Sequence, residues 1–363
     1  MSLGCVWGVE RVWGIWRVKG MYYTLDSQDP LDSLDSLRLL NDYKNKAWRE
    51  QFMTPNVVEV IINASSGADD KEQARHRLVE IFKSEGIEAH ISLARGGADI
   101  NNLAQRAVSG TANAQTIVAG GGDGTINAVA SKLINTNLTL GVLPLGTLNH
   151  FAKDLNIPLE LEAAARNIIA NHTTRVDVGE VNGQVFLNNS SLGLYPSIVR
   201  QREKQQQRSG RGKWLAFFWA TVGVLRRYPF LDVRLSADGE EIFRRTPFVF
   251  IGNNEYEMDS FSIGGRKCLD AGNLSIYVLH RTGRMGLVRL ALRSLFGKLR
   301  QAKDFETFCT DEITIETRRK KLLVAFDGEV KQMETPLHYR IRPNALRVIV
   351  PKSEEILSTD EHG

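Results

Sequence analysis

Between residues 57 and 155, short apolar runs alternate with stretches whose apolar positions recur at helical spacing. Residues 57–62 predict a strand, 70–85 a helix, 89–93 a strand and 98–109 a helix. A third strand over 115–118 runs into a glycine-rich loop. A helix over 126–134, a strand over 138–143, a Gly-Thr loop and a short helix over 148–155 follow. Strands alternating with helices pair in parallel through right-handed crossovers. The pattern predicts a doubly wound α/β sheet with ligands at the carboxyl ends of its strands.

Past residue 174 the pattern becomes one of paired strands. Runs over 176–181 and 184–189 flank Asn182-Gly183, a strong hairpin signal, and a second hairpin is expected around Asp238-Gly239. Further strands are expected over 248–251, 274–279, 312–316, 322–326, 338–341 and 346–350. They imply a β-sandwich, with helical patterns near 212–226 and 284–302. Residues 1–55 fit neither pattern. Trp7, Trp13 and Trp16 stand among charged residues, a Leu-Asp-Ser repeat occupies 31–36, and Met53 directly precedes the first strand, as an alternative start would. The expected division is a poorly ordered extension over 1–55, an α/β domain over 56–172, a β-sandwich over 173–351 and a tail over 352–363.

At 363 residues and 42% hydrophobic composition, the chain can bury two cores. The net charge of +4 matters only where it clusters. Cys5, Cys268 and Cys309 are too far apart for a disulfide framework or a metal set, which suits a reducing cytoplasm. No apolar run reaches the roughly 18 residues that a membrane-spanning helix needs.

Three loops carry the chemistry. Gly120, Gly121, Gly122, Asp123, Gly124 and Thr125 follow the third strand and open a helix, as a phosphate cradle does. Asp123 would repel phosphates there unless it served Mg²⁺, a water on it, or the hydroxyl being phosphorylated. Asn63, Ser66 and Gly67 follow the first strand, and Gly146, Thr147 and Asn149 follow the fourth. Each loop alone reads equally as a capped turn. Their convergence at successive strand ends favours nucleotide binding, although Gly-x-Gly-x-x-Gly is absent and no Lys follows the glycines.

The Gly-Gly-Asp-Gly-Thr core, the Asn-x-x-Ser-Gly loop and the stretch from Pro144 to Ala152 resemble the catalytic domain of diacylglycerol and sphingosine kinases, and most of all soluble bacterial lipid kinases of that superfamily. The resemblance spans about 56–350. It implies an ATP-binding α/β domain followed by a β-sandwich, with ATP, Mg²⁺ and a lipid alcohol meeting between them. Nucleotide contacts would come from Asn63, Ser66, Gly67, Gly120, Gly121, Gly122, Gly124, Thr125, Asn127, Gly146 and Thr147. Asp123 would serve catalysis and metal. The Asp327-Gly328-Glu329 turn would supply the general base, from Asp327 or Glu329. There are departures. Ala64 replaces the usual Pro, Ala94 a nucleotide-contacting Thr, and His150 an Asp. The paired acids of a structural metal site are reduced to Asp270, which puts that site in doubt.

The resemblance predicts an ATP-dependent kinase acting on the hydroxyl of a diacylglycerol-like lipid. Rival readings are an NAD kinase-like phosphotransferase and a non-catalytic lipid- or nucleotide-binding regulator. A lipid acceptor implies peripheral membrane contact from the cytoplasm. Arg200, Arg202, Lys204, Arg208, Arg211 and Lys213, leading into the aromatic run 214–219, are the candidate docking segment. No nucleic-acid signature accompanies them. A homodimer is left open.

Overall fold

The computed structural model describes residues 9–12, 15–18, 21–24, 56–64, 71–110, 114–197, 199, 230–256, 266, 268–279 and 305–352. The chain divides into two compact units, Met1–Pro55 and Asn56–Gly363. In the first, β1 (Val9–Val12), β2 (Ile15–Val18) and β3 (Met21–Thr24) form an antiparallel three-stranded sheet. The docking segment at 200–227 and the helical patterns at 212–226 and 284–302 lie outside the described residues.

The second unit opens with β4 (Asn56–Asn63), α1 (Lys71–Ser84), β5 (Ile87–Ala94), α2 (Gly97–Val108), β6 (Thr116–Gly121), α3 (Asp123–Leu133) and β7 (Thr139–Pro144). These strands are parallel in the order β7-β6-β4-β5. Their apolar runs are continuous because both faces are covered. On one face Leu78 and Phe82, one turn apart on α1, pack on Val58, Val60 and Ile62. On the other, Ile100 and Ala104 of α2 and Ile126, Val129 and Leu133 of α3 pack on Ile61, Ile117 and Ala119. The doubly wound layer expected from the sequence is therefore present. Next come α4 (His150–Asp154) and α5 (Leu161–Ala170). The sequence pattern does not indicate α5, which Glu160 caps by accepting the N–H groups of Glu162 and Ala163.

The remainder is antiparallel: β8 (Thr173–Val181), β9 (Gln184–Phe186), β10 (Asn189–Gly193), β11 (Leu231–Ala237), β12 (Glu240–Thr246), β13 (Phe248–Asn253), β14 (Leu274–Leu279), β15 (Phe305–Thr310), β16 (Glu312–Thr317), β17 (Lys321–Phe326), β18 (Glu329–Glu334) and β19 (Leu337–Ile349). One sheet runs β15-β14-β13-β10-β17-β18. Its Leu192, Val249, Ile251, Ile276 and Val324 meet Val233, Leu235, Ile313, Ile315 and Tyr339 of the facing sheet, forming the core of the expected sandwich.

The facing sheet does not stop at the sandwich. It runs β12-β11-β16-β19-β7-β6-β4-β5, so the antiparallel layer and the parallel layer are one sheet. β19 makes the join. Its first half pairs with β16, its Arg347 and Val348 pair in parallel with Thr139 and Leu140 of β7, and β8 runs antiparallel along both halves. The sequence suggests two strands, 338–341 and 346–350. They are one strand, because an irregularity between Arg342 and Leu346 shifts the register without ending the pairing.

Leu346 is fully buried in the α/β core, so Leu346→Ala should cost about 3 kcal/mol. Because β19 belongs to both layers, denaturant unfolding followed by circular dichroism should still show one transition, at lower denaturant. Two separated transitions would contradict the coupling.

Candidate functional site

The glycine loop is two structures in sequence. Gly120 and Gly121 are the buried end of β6. A Cβ on Gly120 would lie 2.9 Å from Ile62 Cγ1, and one on Gly121 would lie 2.6 Å from Thr125 Cβ. They are glycines because the sheet and α3 pack there. Gly122 caps α3, which starts at Asp123, three residues before the helix expected over 126–134. The loop after β7 closes on it. Leu145 N–H donates to Gly121 O at 3.1 Å, and a Cβ on Gly146 would lie 2.4 Å from Gly122 Cα. Asn149 holds that loop: Oδ1 accepts from Gly146 N at 3.0 Å, while Nδ2 donates to the carbonyls of Pro144 and Gly146. Thr147 is exposed. Asn63 Nδ2 donates to Thr125 Oγ1 at 3.1 Å. Ser66 and Gly67 lie outside the described residues.

Asp123 accepts the N–H groups of His150 and Phe151 at 3.2 and 3.1 Å, which ties α3 to the start of α4. Asn127 Nδ2 donates to Val185 O at 3.2 Å, and its buried Oδ1 has no partner among the described residues.

From the sandwich comes the Asp-Gly-Glu turn. Asp327 (φ 46°) and Gly328 (φ 84°) both take the left-handed conformations of a tight hairpin linking β17 and β18. The turn is thus both a hairpin and the carrier of an acid. The Asp327 carboxylate is buried and accepts three main-chain N–H groups, from Leu187 at 2.7 Å, Asn188 at 2.9 Å and Asn189 at 3.2 Å. Burial raises its pKa to about 6, the three N–H groups oppose that rise, and the charge of Asp123 adds to it. Asn188, which the sequence reading missed, joins the two acids: its N–H bonds Asp327 and its Nδ2 points to Asp123 Oδ1 at 3.5 Å.

A cavity of about 510 Å³ lies between the two layers, lined by Asn63, Gly122, Asp123, Thr125, Asn127 and Glu329 among others. The loops of the α/β layer form one wall and the β17–β18 hairpin the other. Glu329 faces Gly124, with Oε1 3.6 Å from where a Cβ there would sit. Lys331 also lines the cavity, and its Nζ donates to Gln184 Oε1 at 3.0 Å. Asp327 sits behind the wall. Asp270 is exposed and does not line the cavity. Among the described residues no three His, Cys, Asp or Glu side chains gather as a metal set.

The glycines make opposite predictions. Gly146→Ala drives a methyl into Gly122 and should cost roughly 1–3 kcal/mol. Gly124→Ala meets only ordinary contact inside a helix and should gain up to about 1 kcal/mol. Thermal melts check both; equal stability of the two variants would refute the close packing of the loops.

A family model described as the diacylglycerol kinase catalytic domain matches residues 57–181, and one described as the YegS C-terminal NAD kinase beta sandwich-like domain matches residues 195–350. A "Probable lipid kinase YegS" from Escherichia fergusonii is 32% identical over 157 residues, covering 42% of this chain and 51% of that protein. The chain thus spans about half the length of that relative. A "Diacylglycerol kinase" from Bacillus subtilis is 25% identical over 301 residues, 81% of this chain and 96% of that protein. A crystal structure of a diacylglycerol kinase from Bacillus anthracis shares the fold, with a TM-score of 0.61 at 22% identity over 83% of this chain and 99% of that one. Both models match in order on this two-layer architecture, so the chain is similar to the diacylglycerol kinase catalytic domain in its α/β layer and to the YegS C-terminal domain in its sandwich.

Proposed function

We propose that the protein is an ATP-dependent lipid kinase that transfers the γ-phosphoryl group to the hydroxyl of a diacylglycerol-like lipid. One observation carries this reading: Asp123 and Thr125 of the nucleotide-type loop share a cavity with Glu329 of the sandwich, and Asp327 lies directly behind it.

The residues fit the groups the reaction needs. In the cradle formed by Gly122 and Gly146 the backbones meet closely, position 146 admitting no Cβ, and main-chain N–H groups there can approach phosphate oxygens. Asp123 and Glu329 put hard carboxylate oxygens into one cavity, the donor type that Mg²⁺ prefers, and they are the residues that would hold it. Bound Mg²⁺ supplies charge neutralisation for the phosphates. Asn63 orients Thr125.

As the lipid oxygen forms its bond to the γ-phosphorus, the bond from phosphorus to the bridging β-phosphate oxygen breaks and the hydroxyl proton leaves. Asp327, behind the cavity wall, takes that proton by way of Glu329, which faces the cavity. A pKa near 6 leaves Asp327 ionised at neutral pH yet basic enough to act. Glu329, facing the cavity, places the hydroxyl. The lipid must come from a bilayer, and among the described residues no helix is long and apolar enough to cross one. Peripheral contact through the basic and aromatic segment at 200–227 supports that supply. The NAD kinase-like name of the sandwich model keeps a soluble dinucleotide acceptor as the second reading.

Radiolabelled ATP incubated with total lipid extract, and separately with NAD, should label a lipid and leave NAD unlabelled. Asp327→Asn should lower turnover at least about 100-fold with ATP still bound, and wild-type activity should fall as pH drops through about 6. Labelled NAD phosphate, or full turnover in Asp327→Asn, would contradict the proposal.

A further inference from the structure

Arg266 is a cation sealed inside the fold, with its side chain 0% exposed. Its guanidinium makes four hydrogen bonds. Nε donates to Asp154 Oδ2 at 2.8 Å, Nη1 to the carbonyls of Leu187 at 2.6 Å and Asn253 at 3.2 Å, and Nη2 to Asn188 Oδ1 at 3.1 Å. The Tyr256 ring lies 5.8 Å away, and its hydroxyl, raised to about 12 by burial, adds no charge near neutral pH. A desolvated ion pair is weak evidence for stability by itself. The directions of these bonds point to a role elsewhere.

The carbonyl of Leu187 and the N–H of Asn188 belong to one peptide group. Its oxygen accepts from Arg266, and its N–H donates to Asp327 Oδ1 at 2.9 Å. The Asn188 side chain repeats the arrangement. Arg266 has only donors to offer, so Asn188 turns Oδ1 toward it, which aims Nδ2 at Asp123. One guanidinium is thus joined to each acid through a single amide, main-chain in one case and side-chain in the other. Amides aligned between a cation and an anion polarise one another. A third connection runs through Asp154. It is the last residue of α4, the helix whose first N–H groups, from His150 and Phe151, hold Asp123.

We propose that Arg266, from outside the cavity, is a positioning residue for phosphoryl transfer: it fixes the 187–189 segment and α4 so that together they set Asp123 and Asp327 in place. This rests on the reading of those two aspartates as working acids. The alternative is that Arg266 only fills and stabilises the core.

Four full-length proteins separate the two: wild type, Asn188→Ala, Arg266→Met/Asp154→Leu, which removes both buried charges together, and the triple variant. Each is measured for melting temperature, for kcat and KM toward ATP with mixed-lipid micelles, and for hydrogen exchange of residues 187–189. The proposal expects kcat to fall on the order of 100-fold in Asn188→Ala and in the double variant, with KM for ATP nearly unchanged. The triple variant should be no worse than the double, because both act through one connection. Exchange over 187–189 should quicken in the double variant. Arg266→Lys keeps the charge without the fork, should recover only part of kcat, and serves the same comparison if the double variant does not fold. Losses that multiply in the triple variant, kcat that simply tracks melting temperature, or unchanged exchange over 187–189 would overturn the proposal. Full activity in Asp327→Asn would instead overturn the underlying reading of the acids, a result the exchange data do not depend on.

Discussion

The Asp327 carboxylate is withdrawn from water into the seam between two layers, and much of the site can be understood as the arrangement that makes this tolerable. A buried carboxylate without partners would take up a proton or unfold its surroundings. Here three consecutive main-chain N–H groups, from Leu187 to Asn189, close on it. The carbonyls of the same segment are held as well: Asn253 Nδ2 and Arg266 donate to Leu187 O, and the Asp327 N–H itself donates to Asn189 O. The compensation is partial. The pKa stays raised, so this group favours the folded state most fully below the ordinary carboxylate range, and that contribution is lost as pH rises through about 6. The site therefore accepts some instability at neutral pH in keeping this carboxylate buried.

Such an arrangement needs the two layers to be held in fixed register, and β19 does this. It carries the sandwich sheet into the parallel sheet, while β8 follows it along both halves and then turns through Asn182-Gly183 into β9 and the 187–189 segment. The backbone that grips Asp327 thus follows directly on β8 and β9, and β8 is the strand paired along the length of β19. Asp123 is fixed from the α/β side by α4 and from the sandwich side by Asn188. A cavity with one wall from each layer follows from that continuity.

The parallel layer was legible because buried strands and amphipathic helices differ sharply in period, and the Asn182-Gly183 and Asp238-Gly239 turns mark their hairpins directly. What escaped was low in contrast. The buried residues of α5 include Ala164 and Ala165, which give little periodic signal. β10 is Asn-Ser-Ser-Leu-Gly, polar in composition yet buried, because Ser190 Oγ donates to Ala325 O and meets the Tyr339 hydroxyl. β18 is an edge strand of mostly exposed residues. In the site, Asp123, Thr125 and Glu329 could be found from their motifs. Gly120 and Gly121 carry the same motif but pack inside the sheet. Asn188 and Arg266 stand in no motif, since their partners are distant in sequence and meet only through tertiary structure.

The electrostatic tie between the two layers can be tested on the carboxyl group itself. Asp327 in the full-length protein, followed by carbon NMR through a pH series, should titrate near pH 6 and should move downward in Asp123→Asn, where the neighbouring negative charge is gone. Titration near the ordinary aspartate value of about 4, unmoved by the change at Asp123, would contradict a shared site.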